Sequence, residues 1–378
     1  MKKLLLFAPL LATTASALTI ANPVVNQRQL NTSGLKIFSL LDAANEHSGN
    51  LAFSPYSATT AMQMVIYGTD IEEQKSKTFN ELKIFMPPYF IPQPPKIDGV
   101  SVVNAAFSHN TFTPLPKFTN ALDKFFQAHF QILDFTQPEP ARATINAWVA
   151  EQTNDKIQNL LPPNSLTADS RLVLVNALYF NDDWLTQFPA HNTRPRAFNS
   201  ASGAVREIPF MHNTARFNHA ERDNVQILQL PYKNGCVMTL LLPRGNDLAP
   251  AFALLNQNLG NDLQPARVSV ALPKFTLNWQ GSLKAALQHL GIREAFTRNA
   301  DFSRITRDEK LFITDVFQAV FIAVDERGTE AAAATGVGFA VTSIDLNQPI
   351  EFTADRPFLF TLATPDNTLL FTGVVREP

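Results

Sequence analysis

Residues 326–343 read Glu-Arg-Gly-Thr-Glu-Ala-Ala-Ala-Ala-Thr-Gly-Val-Gly-Phe-Ala-Val-Thr-Ser. One alternate set, Thr329, Ala331, Ala333, Thr335, Val337, Phe339 and Val341, is small or apolar throughout. The other, Glu330, Ala332, Ala334, Gly336, Gly338, Ala340 and Thr342, carries no large apolar group. A period of two marks a strand with one buried face. Yet Gly336, Gly338 and the alanines are poor strand formers, and the alanine run by itself favours helix. A segment that is a loop in one state and a central strand in another has this character. Small residues near its start let it enter a packed sheet without clashes. A low-complexity helix or linker is the plainer alternative.

Other chemistry is scarce. Ser33-Gly34-Leu35-Lys36 matches S-x-x-K, but it opens an amphipathic helix and lacks the motifs that accompany a nucleophilic serine. A helix cap is the expected role. There is no G-x-S-x-G, no H-E-x-x-H and no glycine-rich phosphate loop. The seven histidines are scattered without metal-ligand spacing, so neither a metal nor a cofactor is called for. Cys236 is the single cysteine and cannot bridge within the chain; in Gly235-Cys236-Val237-Met238-Thr239-Leu240 it reads as a buried, inert thiol.

The elements that must position the 326–343 segment follow from patterning. Leu35, Phe38 and Leu41 recur at helical spacing after Thr32 and Ser33, which are expected to cap that helix. Ser54, Pro55 and Gly68 bracket a second helix, and a third runs around Ile145, Trp148, Val149 and Ile157 until Pro162-Pro163. Leu172 to Phe180 is an apolar run broken only by Asn176, a strand buried on both faces. Further strands are expected at 227–230, 237–242, 268–272, 317–324, 350–353, 358–363 and 369–374, and Met86 to Pro95 reads as a loop. The fold class is α+β, one domain over residues 18–378 with large, mostly antiparallel sheets.

Residues 1–17 form a signal peptide: Lys2 and Lys3, an apolar run from Leu4 to Leu11, then Ala15-Ser16-Ala17. The mature chain would start at Leu18 and be secreted, extracellular or periplasmic. A net charge of −2 gives no electrostatic reason for nucleic acid or an anionic membrane as partner. No internal stretch approaches the ~20 apolar residues of a membrane helix.

Glu326 to Thr335 resembles the hinge of inhibitory serpins. Asn50-Leu51-Ala52-Phe53-Ser54-Pro55-Tyr56-Ser57 is similar to that family's early helix start. Leu174-Val175-Asn176-Ala177-Leu178-Tyr179-Phe180 with Trp184 is similar to its central strand and the turn after it. Ala300-Asp301-Phe302-Ser303, Asp355 to Phe360 and Leu370-Phe371-Thr372-Gly373 also fit, in family order along nearly the whole mature chain.

The resemblance implies a serpin fold of three β-sheets with eight or nine helices and an exposed reactive-centre loop at about 326–348. It implies a monomer that is metastable, and a covalent complex with a target serine protease. Glu326, Gly328, Thr329, Glu330, Ala331, Ala332, Ala333, Ala334 and Thr335 are then the hinge. Counting from Gly328 places the reactive bond at Thr342–Ser343, with Val341–Thr342 second. Asn176, Gln318, Ser54, Ser57 and Trp184 are implied as the cluster over which the central sheet opens, with Asn176 bonded in the region of Ser54 and Ser57. Gln318 stands where the family commonly has histidine, and Arg356 replaces another. Inserting ~15 residues as a paired strand is worth on the order of 10 kcal/mol at ~0.5–1.5 kcal/mol per hydrogen bond.

The reactive bond's neighbours indicate the kind of protease. No lysine or arginine lies between Arg327 and Arg356, so a trypsin-like pocket finds no cation. Val341 and Thr342 suit the shallow apolar pocket of an elastase-like protease. Phe339 would suit a chymotrypsin-like pocket but shortens the inserting segment. Subtilisin-like and some cysteine proteases stay open. A carrier, storage protein or chaperone of the same family is the alternative, although such members typically carry bulky, charged or proline residues in the hinge. An arginine at Thr329 is expected to leave folding intact and turn an inhibitor into a substrate.

Overall fold

A computed structural model of the chain describes residues 23–70, 76–85, 97–257, 262–307, 311–329 and 348–378. The expected signal peptide, the 86–95 loop and the positions Glu330, Ala331, Ala332, Ala333, Ala334, Thr335, Val341, Thr342 and Ser343 lie outside the described residues.

Strand Leu172–Phe180 is central to a seven-stranded sheet because it is apolar on both sides of its pleat. Val173, Val175 and Ala177 face one cluster, while Leu178 and Phe180 face another. It pairs antiparallel with Val100–His109, which pairs with Ala128–Leu133. On its other side it pairs parallel with Ile313–Val324, from Leu172–Ile313 up to Tyr179–Phe321. Strand Phe275–Ser282 forms the far edge. Beyond the Tyr179–Phe321 rung, Gly328–Thr329 pairs with Val324 on one side and with Asp182–Asp183 on the other. Helix Pro138–Gln152 joins Ala141, Ile145 and Val149 to the cluster that holds Val173, Val175, Phe317 and Ala319.

The second sheet has nine strands because one of them changes partners. Val205–Arg222 pairs with Arg194–Asn199 and Gln264–Pro273 over its first part, then with Val225–Pro231 from Asn218 onward. Two of the three expected sheets are therefore continuous through this 18-residue strand. Among the described residues there are seven α-helices, a π-turn at Leu122–Phe126 and two short 3-10 turns.

Two boundaries differ from the sequence reading. The first helix runs from Pro23 to Ala44, so Thr32 and Ser33 lie inside it and cap nothing. Gly34 is there for packing: a Cβ would sit 2.5 Å from the Cβ of Pro55, so the two helices touch at this point. The helix around Trp148 ends at Gln152, well before Pro162. There the Thr153 hydroxyl bonds the Val149 carbonyl (2.8 Å), and Asn154 and Asp155 take positive φ angles of 49° and 61°. Strands Val100–His109, Ala128–Leu133, Val205–Arg222 and Phe275–Ser282 were not expected, because polar residues interrupt their alternation.

The chain's C-terminal end is tied to the first helix by a buried ion pair. Arg376 donates to both carboxylate oxygens of Asp42 (2.8 and 2.9 Å) and to the Gly49 carbonyl (2.9 Å). Asp42→Ala should lower stability by about 3–5 kcal/mol, since it leaves the guanidinium buried without its counter-ion. Urea unfolding of the two proteins checks this, and an unchanged midpoint would show that water reaches Arg376.

Candidate functional site: a closed seam and a seated hinge

The seam between Leu172–Phe180 and Ile313–Val324 has polar groups at its middle rung, where Asn176 stands opposite Gln318. Both are buried. Gln318 accepts from the Ser54 backbone N–H through Oε1 (3.0 Å) and donates to the Ser54 carbonyl through Nε2 (3.0 Å). A primary amide offers a donor and an acceptor side by side and so mimics a paired peptide group. Ser54 in turn caps the helix Pro55–Tyr67, its hydroxyl accepting from the Ser57 N–H (3.1 Å). The capped helix end is thereby clipped onto the strand that borders the seam.

Asn176 does not bond the Ser54–Ser57 region. It donates to the Oδ1 of Asn104, whose own amide donates to the Phe126 carbonyl (3.1 Å). Asn104 is directly across the ladder from Asn176, which makes it the partner within shortest reach. Asn176 Oδ1 and the Ser57 hydroxyl are left buried without a hydrogen-bond partner among the described residues. The seam thus holds one satisfied clip and two unsatisfied polar atoms; each of the latter costs about 1–3 kcal/mol.

The described part of the expected hinge, residues 326–329, sits above the seam. Gly328 lies so close to Asp182 that any side chain would run into the Asp182 carbonyl. Thr329 is buried, and its hydroxyl lies 2.6 Å from the Tyr232 hydroxyl. Tyr232 stacks on Trp184 with ring centroids 4.2 Å apart. Trp184 donates from its indole N–H to the Asp325 carbonyl (2.9 Å) and from its backbone N–H to the Arg327 carbonyl (2.8 Å). Asp325 folds the turn by accepting from the N–H groups of Arg327 (2.9 Å) and Gly328 (3.2 Å). Burial pushes the Tyr232 phenol well above its usual range, so it stays neutral.

Two ion pairs flank the turn. Asp183 holds Arg327 and Lys233, both at 2.8 Å. Glu326 holds Lys274 (2.8 Å) and accepts from the Thr193 hydroxyl (2.8 Å). Burial alone would raise both carboxylates. For Glu326, Lys274 and Thr193 outweigh it; for Asp183, Lys233 and Arg327 do, and both groups titrate below their ordinary range. Arg356, the other departure from the resemblance, bonds the Pro243 carbonyl (2.8 Å) and Asp355 (2.8 Å). Cys236 is buried and its thiol is pushed up to about 12 by desolvation, which makes it unreactive.

The family profile described as Serpin (serine protease inhibitor) matches residues 28–378. The chain belongs to the serpin family. It is 33% identical to a leukocyte elastase inhibitor of Xenopus laevis over 368 residues, covering 90% of this chain and 97% of that one. It is 31% identical to an uncharacterized serpin-like protein of Methanosarcina acetivorans, covering 90% and 84%. Among solved structures, Serpin48 of the insect Tenebrio molitor superimposes with a TM-score of 0.82 at 28% identity, over 95% of this chain and 99% of that one. Thyroxine-binding globulin complexed with its hormone superimposes at 0.84, but at 23% identity that likeness concerns the fold alone. The fold is therefore the α+β serpin fold.

Within this serpin, the structure brings Ser54 and Gln318 together, and it groups Trp184 with Glu326, Gly328 and Thr329. Tyr232, Asp183, Lys274, Thr193 and Asn104 complete the two clusters and were not anticipated. The contacts of Asp183, Thr193, Tyr232 and Lys274 to residues 326–329 span up to 144 positions of sequence, a distance no local pattern reports.

Gln318→Leu should cost about 1–3 kcal/mol for each of the two Ser54 backbone groups it orphans. The urea midpoint should fall accordingly, and no fall would show those groups to be hydrated. Acidification should weaken the hinge anchor as well. A carboxylate depressed in the folded state adds stability above its ordinary value, and that contribution disappears as pH falls through the folded one. Glu326→Gln should therefore lower the melting temperature at neutral pH and lose its effect as pH falls below the ordinary glutamate range and through the lowered folded-state value. A difference that persists in acid would mean the glutamate acts through packing.

Proposed function

We propose that this serpin is a secreted, single-use inhibitor of serine proteases, elastase-like or subtilisin-like, with Thr342–Ser343 as its reactive bond and a covalent protease complex as its product. The observation that carries this is the seating of Gly328–Thr329 in the gap above the seam, already antiparallel to Val324 and to Asp182–Asp183. Continuing that register would set Ala331 against Phe180 and Ile322, Ala333 against Leu178 and Val320, and Thr335 against Asn176 and Gln318. The small, apolar alternate set would then occupy the face that Thr329 already buries. The Thr335 hydroxyl would arrive where Asn176 Oδ1 has no partner.

The chemistry belongs to the protease. Its serine oxygen adds to the Thr342 carbonyl carbon, the C–N bond to Ser343 breaks, and the amine of Ser343 leaves with the proton supplied by the protease's histidine. The freed segment inserts through the seam, replacing the direct Leu172–Phe180 to Ile313–Val324 pairing with two new ladders. The ester-linked protease is dragged along before water can release it. Support for an elastase-like target comes from Val341 and Thr342 and from the name of the Xenopus relative. Support for secretion comes from the Lys2–Ala17 pattern.

Thr329→Arg would not leave the folded state untouched, as the sequence reading expected, because Thr329 is already buried against Tyr232. Ala333→Arg is the better probe, since it places the bulk at a rung reached only on insertion. Mixed with an elastase-like protease, the unmodified protein should give a detergent-resistant band at the summed mass and a fragment beginning at Ser343. Ala333→Arg should be cleaved at the same bond without that band. Clean cleavage of the unmodified protein by every elastase-like, subtilisin-like, chymotrypsin-like and cysteine protease tried would leave a non-inhibitory serpin as the better account.

A further inference from the structure

Strand Val205–Arg222 has partners in both halves of the nine-stranded sheet, and only two of its residues have both at once. Asn218 stands opposite Pro265 on one side and Gln229 on the other; His219 stands opposite Gln264 and Leu228. At these two rungs the half that holds Gln264–Pro273 and Ile350–Thr353 is joined to Val225–Pro231 and the strands beyond it. Asn218 is exposed and closes its rung from outside, donating to the Gln229 side chain (3.1 Å). His219 is turned inward.

Residues opposite each other in a ladder share a face, as do residues two apart. His219 therefore lies on the face of Phe217, Leu228 and Ala266, which all pack in one apolar cluster. It is buried, and its Nε2 has no hydrogen-bond partner among the described residues. Buried polar groups are nearly always paired, so an orphaned ring nitrogen at this junction calls for a reason. Gln226, two residues before Leu228, is also buried and donates to the Glu351 carbonyl (3.1 Å). That bond reaches from one half of the sheet to the strand Ile350–Thr353 in the other.

The surroundings of the ring favour its neutral form. Burial is the main cause that lowers its pKa; Glu221 opposes that, and Arg244 adds to it. Glu221 is itself paired with Arg244 (2.9 Å), so its charge is largely offset. The flanking strands offer Leu228 and Gln226 on one side, Gln264 and Ala266 on the other, none of them charged. A proton taken up here puts a charge beside an apolar cluster with no free carboxylate to meet it.

We infer that His219 is an acid-sensitive latch: neutral, it lets the two halves of the sheet close on each other, and protonated, it frees the half that holds Ile350–Thr353. Stability is whole above the ordinary histidine value of about 6.5 and falls away as pH drops toward the lowered folded-state one, because the unfolded chain binds a proton that the folded chain refuses. Glu326 and Asp183, which titrate below the ordinary carboxylate range, are still ionised there, so the hinge anchor stays in place while this junction slackens. The latch needs no protease, so it stands or falls apart from the inhibitory reading.

Urea unfolding of the protein and of His219→Gln, followed from about pH 8 to about pH 5, tests it. Below about pH 6.5 the unmodified protein should lose up to tenfold in its folding equilibrium per pH unit through this group, and His219→Gln should lack that loss. Parallel pH curves would overturn the latch. So would a loss abolished by His212→Gln instead, since His212, near Arg194, Arg196 and Glu351, also has a buried Nε2 without a partner among the described residues. Hydrogen exchange on the unmodified protein gives a second reading that needs no variant. Corrected for intrinsic rates, protection in Gln264–Pro273 and Ile350–Thr353 should fall by up to tenfold per pH unit below about 6.5, while Leu172–Phe180 keeps its protection. Equal loss in both sheets, or none in either, would sink the idea of a local junction.

Discussion

Two parallel strands, Leu172–Phe180 and Ile313–Val324, are zipped directly to each other although a third strand already begins between them. Their ladder runs to the Tyr179–Phe321 rung, and just above it Gly328–Thr329 is wedged against Val324 and Asp182–Asp183. The ladder is continuous from Asp315 to Phe321, so extending the wedge downward requires breaking one parallel ladder in order to make two antiparallel ones. Antiparallel pairing is the slightly more stable geometry, and two ladders exceed one. Were the segment after Thr329 to insert as proposed, that difference in free energy would be held back by topology, because the segment is continuous with the strand Ile350–Thr353 in the other sheet. Cutting the chain between the two is what would release it.

Polar groups stand at the middle rung of the seam. A hydrophobic middle rung would close it by packing alone. Gln318 instead spends both ends of its amide on Ser54, binding the strand to the capped end of helix Pro55–Tyr67. Asn176, on the facing strand, is only half satisfied. One side of the rung is clipped and the other carries a cost of burial. Because glutamine has no titration near neutrality, the clip is insensitive to pH where a histidine would not be.

Above the seam the constraint changes from hydrogen bonding to close packing. Trp184, Tyr232 and Thr329 form a buried stack, and Gly328 is the residue that lets the backbone pass Asp182. The ion pairs Glu326–Lys274 and Arg327–Asp183 hold the turn from both sides. The helix Pro138–Gln152 shares a core with both seam strands.

Local sequence determined a good deal. The continuous apolar runs set Leu172–Phe180 and Phe358–Ala363 to their residue boundaries, because a largely buried strand tolerates little else. Ser54, Pro55 and Gly68 marked the ends of a helix through their own backbone and capping chemistry. The alternation beginning at Thr329 marked which face of the hinge segment is fit for burial. Tertiary structure decided the rest. Val205–Arg222 is one strand only because two different sheets supply its partners, and charged residues on its open face hide the pattern. Ser33 sits mid-helix because Gly34 lets Pro55 pack there. The partners of Asn176 and Thr329, Asn104 and Tyr232, lie 72 and 97 positions away. Periodicity reports which side of an element is buried, but which distant residue meets it is settled only when the sheets and helices close around a common core.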